Sequence, residues 1–117
     1  MTKQFSLLQL FTLVDGRLSV PMSDVYLMIG HICDDGGLMT HNLPTAMDYI
    51  KAKNPPWFST VRGTLDKLGC TKDEDFKICM LLIEPINTVF DIPQLKDEFD
   101  TSDFGEFMIG KSLLLRS

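Results

Sequence analysis

His31, Cys33 and His41, with Asp34 or Asp35 beside them, are the residues whose types could hold a soft metal ion. Zinc needs nitrogen and sulfur ligands that converge tetrahedrally, commonly through paired cysteines or histidines a few residues apart. The spacing here is His-x-Cys, which aims the two side chains to different sides of a helix. The sequence therefore predicts no metal and no cofactor, and the histidines read as helix-end residues near the negative pole of the dipole. A cysteine nucleophile needs a base and an electropositive setting. Cys33 is followed by two aspartates, Cys70 follows a helix end, and Cys79 lies in an apolar run, so none fits. Asp34-Asp35-Gly36-Gly37 reads as a solvated turn, because an EF-hand would need alternating acids and a downstream glutamate. GxGxxG does not occur. No catalytic set emerges, and the chain is expected not to be an enzyme.

Two stretches remain as binding candidates. Gly36–Phe58 holds His41, Asn42, Pro44 and the single tryptophan, Trp57, and as the alternative reading would supply a pocket near His41, Asn42 and Trp57 for a small-molecule or nucleotide-binding module or a modest enzyme. The second is acidic. Asp97, Glu98, Asp100, Asp103 and Glu106 fall within Asp97–Glu106 with no base among them, interleaved with Phe99 and Phe104 and followed by Phe107. Such a cluster repels itself unless it faces solvent or a basic partner. A contact surface of Asp97, Glu98, Asp100, Asp103, Phe104 and Glu106 is the sharper reading; a plain solvated face is the alternative.

The elements that must position these residues follow from periodicity and punctuation. Ser6 and Gln9 form a capping-box pattern over Leu7–Val14, ended by Asp15-Gly16. Ser23 is the expected cap of Asp24–Cys33, and Pro44 opens Thr45–Lys53. Trp57–Leu68 follows and Gly69 closes it, with Gly63 inside suggesting close approach of another backbone. Phe76–Ile83 is almost continuously apolar, which predicts a strand buried on both faces. Ile86–Phe90 reads as an extended return, Pro93–Glu98 as a short helix and Leu113–Leu115 as a closing strand parallel to the first. The fold class expected is α+β: one domain over residues 1–117, N-terminal helices packed with a small C-terminal sheet.

Composition sets the bounds. The 117 residues suit a single core, and 44% hydrophobic with 23% charged residues is ordinary for a globular chain. A net charge of −5 argues against direct nucleic-acid binding, because phosphates call for a basic face. No apolar run approaches the roughly 20 residues that span a bilayer, and MTKQFSLLQL is too broken for a secretory signal. Three unpaired cysteines suit a reducing compartment.

Phe11-Thr12 with Gly16-Arg17-Leu18, Asp24-Val25-Tyr26, and Thr40-His41-Asn42-Leu43-Pro44-Thr45-Ala46 form a distinctive series. Ile83-Glu84-Pro85-Ile86, Asp91-Ile92-Pro93, Leu95 and Leu113-Leu114-Leu115 continue it. In these stretches the chain resembles a family of small proteins of unknown function from tailed bacteriophages and prophages. The resemblance implies a phage accessory protein in the bacterial host cytoplasm and carries over no catalytic residue. Together with acidity and small size, it leads us to expect a non-enzymatic protein that binds a host protein with a basic surface. The host factor would be, for example, a defence system such as CRISPR.

Overall fold

The computed structural model describes the backbone of residues 1–116 and the side chains of residues 1–110. Strand β1 (Thr2–Ser6) runs directly into helix α1 (Leu7–Asp15). The junction is a capping box: Ser6 Oγ accepts from the Gln9 amide at 3.2 Å and Gln9 Oε1 accepts from the Ser6 amide at 2.9 Å. Gly16 ends α1 at φ 97°, a left-handed position that a side chain would strain. Helix α2 (Met22–Cys33) begins after Pro21, so Ser23 lies inside it rather than capping it. A 3₁₀ turn, Thr40–Asn42, leads into α3 (Leu43–Lys53), with Pro44 in its first turn. Helix α4 (Pro56–Leu68) ends at Gly69, φ 85°.

Helix α5 (Phe76–Ile83) is a correction: the sequence predicts a strand there. A short, almost continuously apolar run cannot by itself distinguish a buried strand from a helix. Asp75 decides it locally, because its carboxylate accepts from the Lys77 amide at 2.8 Å and so caps the helix start. Lysine, methionine and two leucines then favour helix over strand. Leu113–Leu115, also expected as a strand, lies within α6 (Phe104–Arg116). The sheet is instead an antiparallel pair, β1 with β2 (Val89–Pro93), in register from Thr2 opposite Pro93 to Ser6 opposite Val89. Helices with a small separate sheet are nonetheless the α+β class. A 3₁₀ turn, Leu95–Asp97, connects β2 towards α6.

The core gathers Leu10 and Phe11 of α1, Met28 and Ile29 of α2, Ile50 of α3, and Val61 and Leu65 of α4. Phe5 and Ile92 bring the sheet into it. Trp57 is 8% exposed, and its Nε1 has no hydrogen-bond acceptor among the described residues. Gly63 meets no close neighbour: a Cβ built there has nothing within 4 Å. The backbone approach expected from the sequence is therefore absent at that position.

Two stability measurements follow. In chemical denaturation Trp57→Ala should cost roughly 3–5 kcal/mol, the range for emptying a large aromatic site. Trp57→Phe should cost far less, because it also removes an unpaired buried donor; equal losses for the two would contradict this packing. Gly63→Ala should raise stability by up to about 1 kcal/mol, and a loss would show that the space at Gly63 is needed.

Candidate functional site

The histidines and cysteines do not form a reactive centre. His31 is buried on α2, and its Nε2 donates to the Ile92 carbonyl at 2.8 Å, tying that helix to β2. Burial, and then the nearby charge of Asp35, push the Cys33 thiol up to about 12. Burial raises Cys70 to about 11. Both remain protonated at neutral pH, far from a nucleophilic thiolate. Among the described residues no group of three or more His, Cys, Asp or Glu is placed to hold a metal ion.

The residues suggested as a pocket are dispersed in role. His41 is exposed on the 3₁₀ turn, and Trp57 is buried beside Phe58, ring centroids 5.8 Å apart. Asn42 Oδ1 accepts from the Met39 amide at 3.0 Å, a local cap. Asn42 also lines a cleft with Phe104, Met108 and Ile109 of α6, which neither His41 nor Trp57 lines.

The acidic segment serves the fold at three of its carboxylates. Asp97 receives the N-terminal ammonium at 3.0 Å, which holds its carboxyl below the usual range. Asp100 accepts from the Ser102 amide at 2.9 Å in a local turn. Asp103 accepts from the Tyr49 hydroxyl at 2.5 Å and from Lys53 Nζ at 3.2 Å. Phe104 and Phe107 pack edge-on to Tyr49 at 5.0 and 5.1 Å. These contacts latch the start of α6 onto α3. Phe104 is therefore half-buried against Tyr49, and reversing the charge of Asp103 would disturb this latch. Glu98 and Glu106 are exposed, and among the described residues their carboxylates have no hydrogen bond or ion pair.

Arg17, to which the sequence assigns no role of its own, is the most connected side chain among the described residues. It grips the buried Asp15 carboxylate with two bonds, Nε at 2.6 Å and a terminal nitrogen at 3.0 Å. The same guanidinium donates to the Glu74 carbonyl at 2.6 Å and the Thr71 carbonyl at 3.1 Å. It also lies over the rings of Phe11 and Phe76, 5.5 and 6.0 Å from their centroids. The loop into α5 is thereby fastened to the end of α1. The sequence signal was an acid and a base flanking a glycine turn, Asp15-Gly16-Arg17.

So fastened, α5 buries Cys79 and Ile83 and turns Ile78, Leu81 and Leu82 to solvent, 45%, 70% and 36% exposed. Apart from the exposed Lys77, every side chain of α5 is apolar, and a helix this apolar is normally covered on more than one side. Here one face has no cover within the described chain. Aliphatic side chains at these positions can bind only by burying area.

A domain of unknown function, DUF7736, matches residues 5–64, just over half of the 117-residue chain. The chain belongs to the DUF7736 family. No curated protein and no solved structure matches it. The DUF7736 span runs from the end of β1 to within α4 and includes Asp15 and Arg17; α5 and the acidic segment follow it.

In this DUF7736 chain, burial pushes the Asp15 carboxyl up, but the bonds and charge of Arg17 outweigh burial and hold it below the ordinary value. A carboxyl more acidic folded than unfolded stabilises the fold above its unfolded pKa of about 3.9, and that contribution is lost as pH falls through the folded value. Asp34, Asp97, Asp100 and Asp103 are shifted the same way. The thermal midpoint should therefore hold above about pH 5 and fall steeply below about pH 4. Asp15→Asn should make that acid loss shallower, whereas an unchanged slope would remove Asp15 from the account. At neutral pH Asp15→Ala should cost about 3 kcal/mol, the low end for unpairing a buried ion pair.

Proposed function

We propose that this DUF7736 protein is a non-enzymatic binding protein that seats the open face of α5 on a host protein. The observation that carries this reading is the exposed row Ile78, Leu81 and Leu82 on a helix whose side chains are all apolar except Lys77. Contiguous apolar surface of this kind marks interaction sites, and interface cores are built from it. The resemblance to phage and prophage proteins supports a phage accessory protein acting in the bacterial host cytoplasm. There it would disable or redirect a host factor, for example a defence system such as CRISPR. Among the described residues no helix is long and apolar enough to cross a membrane. The net charge of −5 favours a partner with a basic surface, and Glu98 and Glu106 are the acids of the C-terminal segment free to steer it.

The test compares capture from host lysate by the natural chain and by Leu81→Asp, followed by binding kinetics with the protein recovered. Leu81→Asp should keep its thermal midpoint and release the partner at least about tenfold faster, as loss of a desolvated apolar anchor does. Glu98→Lys with Glu106→Lys should instead slow association and weaken its dependence on salt. Equal affinity of the Leu81→Asp protein would contradict the proposal. A dimer of the chain itself that Leu81→Asp dissolves would replace the host partner with a second copy.

A further inference from the structure

Three stretches far apart in sequence meet at one hollow between α1, α2 and α3. Its walls include Thr12, Leu18, Val25, Thr40, Leu43 and Met47, all within the DUF7736 span. The hollow measures about 220 Å³. An apolar cavity of about 150 Å³ already accommodates benzene, so a phenyl ring or a short alkyl chain fits this space.

The lining has little demand for water. The Thr12 hydroxyl is engaged by the Ser19 hydroxyl at 2.8 Å and accepts from the Ser19 amide at 3.0 Å. The Thr40 hydroxyl is bonded to the Tyr26 hydroxyl. The remaining walls are aliphatic or thioether, and methionines at the wall can adapt to an occupant. Leu18, 51% exposed, stands at the opening.

A second hollow, of about 150 Å³, shares Gly16 and Met47 with the first. Lys51 and Lys72 line it, both exposed and, among the described residues, with no side-chain hydrogen bond or ion pair. Its acids are Asp48 and Asp15, and Asp15 is already neutralised by Arg17. An apolar recess thus shares a wall, at Gly16 and Met47, with one lined by two lysines, in a chain whose net charge is −5.

We infer that these adjoining hollows bind a small amphipathic anion, with its ring or short alkyl chain between α1, α2 and α3 and its carboxylate or phosphate at Lys51 and Lys72. The site lies apart from the α5 face and does not depend on the protein-binding reading. The apolar part supplies affinity by leaving water, and the lysines select the charged end.

Octanoate, octyl phosphate and 1-octanol are the probes, each titrated below its aggregation limit into the full chain and followed by amide chemical shifts. The anions should shift Gly16, Leu18, Val25 and Met47 saturably, and the stronger of the two names the head group. Octanol should bind more weakly by roughly three- to tenfold, what one or two exposed ion pairs supply. Lys51→Gln with Lys72→Gln, both at exposed positions, should bring the anions down to the level of octanol. Equal binding of octanol and the anions, anion binding unchanged in the double variant, or shifts confined to residues 76–83 would each overturn the inference.

Discussion

A carboxylate without solvent exposure, that of Asp15, cannot stay charged inside a protein unless a cation is held against it. Arg17 is that cation, and its reach has consequences well beyond the pair. With Asp15 and Arg17 separated by one left-handed glycine, both side chains meet on the same side of the turn. The remaining guanidinium donors are then aimed at the carbonyls of Thr71 and Glu74, in the loop that leads into α5. Phe11 below and Phe76 beyond enclose the planar group. Arginine's fork makes several such bonds at once, which a lysine point charge would not. The position of α5, and therefore which of its faces stays open, depends on this knot.

A second polar knot governs the other end of the chain. Tyr49 and Lys53 of α3 hold Asp103 while the rings of Phe104 and Phe107 close on Tyr49. The acids that look from sequence like an outward patch are all exposed, and three of them also bond within the chain. Asp97, Asp100 and Asp103 satisfy an ammonium, a backbone amide, and a tyrosine with a lysine. Glu98 and Glu106 remain outward. Charge at the surface speeds encounter, whereas buried apolar area sets residence. The division of labour between Glu98 or Glu106 and the α5 row follows from that distinction.

Much of the helical half was legible because its signals are local. Ser6 with Gln9, Gly16, Pro44 and Gly69 each act within a turn of their own residue, and each stands where the sequence put it. The sheet was not legible. β1 contributes one buried side chain, Phe5, and β2 one, Ile92, so neither shows an alternating pattern. Their pairing joins the two ends of the chain, a contact no local window contains. Residues 76–83 misled for a different reason: their uniform apolarity was taken as two-sided burial in a strand, whereas the structure covers one side of a helix. Arg17 was passed over because its partners at Thr71 and Glu74 lie more than fifty residues away.

Amide hydrogen exchange of residues 76–83, in the natural chain and in Arg17→Gln, tests this account most directly. It requires a helix at α5 held by the Arg17 knot, so the natural chain should show slow exchange at the amides that close the i to i+4 bonds. Arg17→Gln should speed exchange there by about tenfold or more while α3 stays protected, the pattern of a local opening. Fast exchange across residues 76–83 in the natural chain, or protection there unchanged by Arg17→Gln, would contradict the claim that this knot positions the binding face.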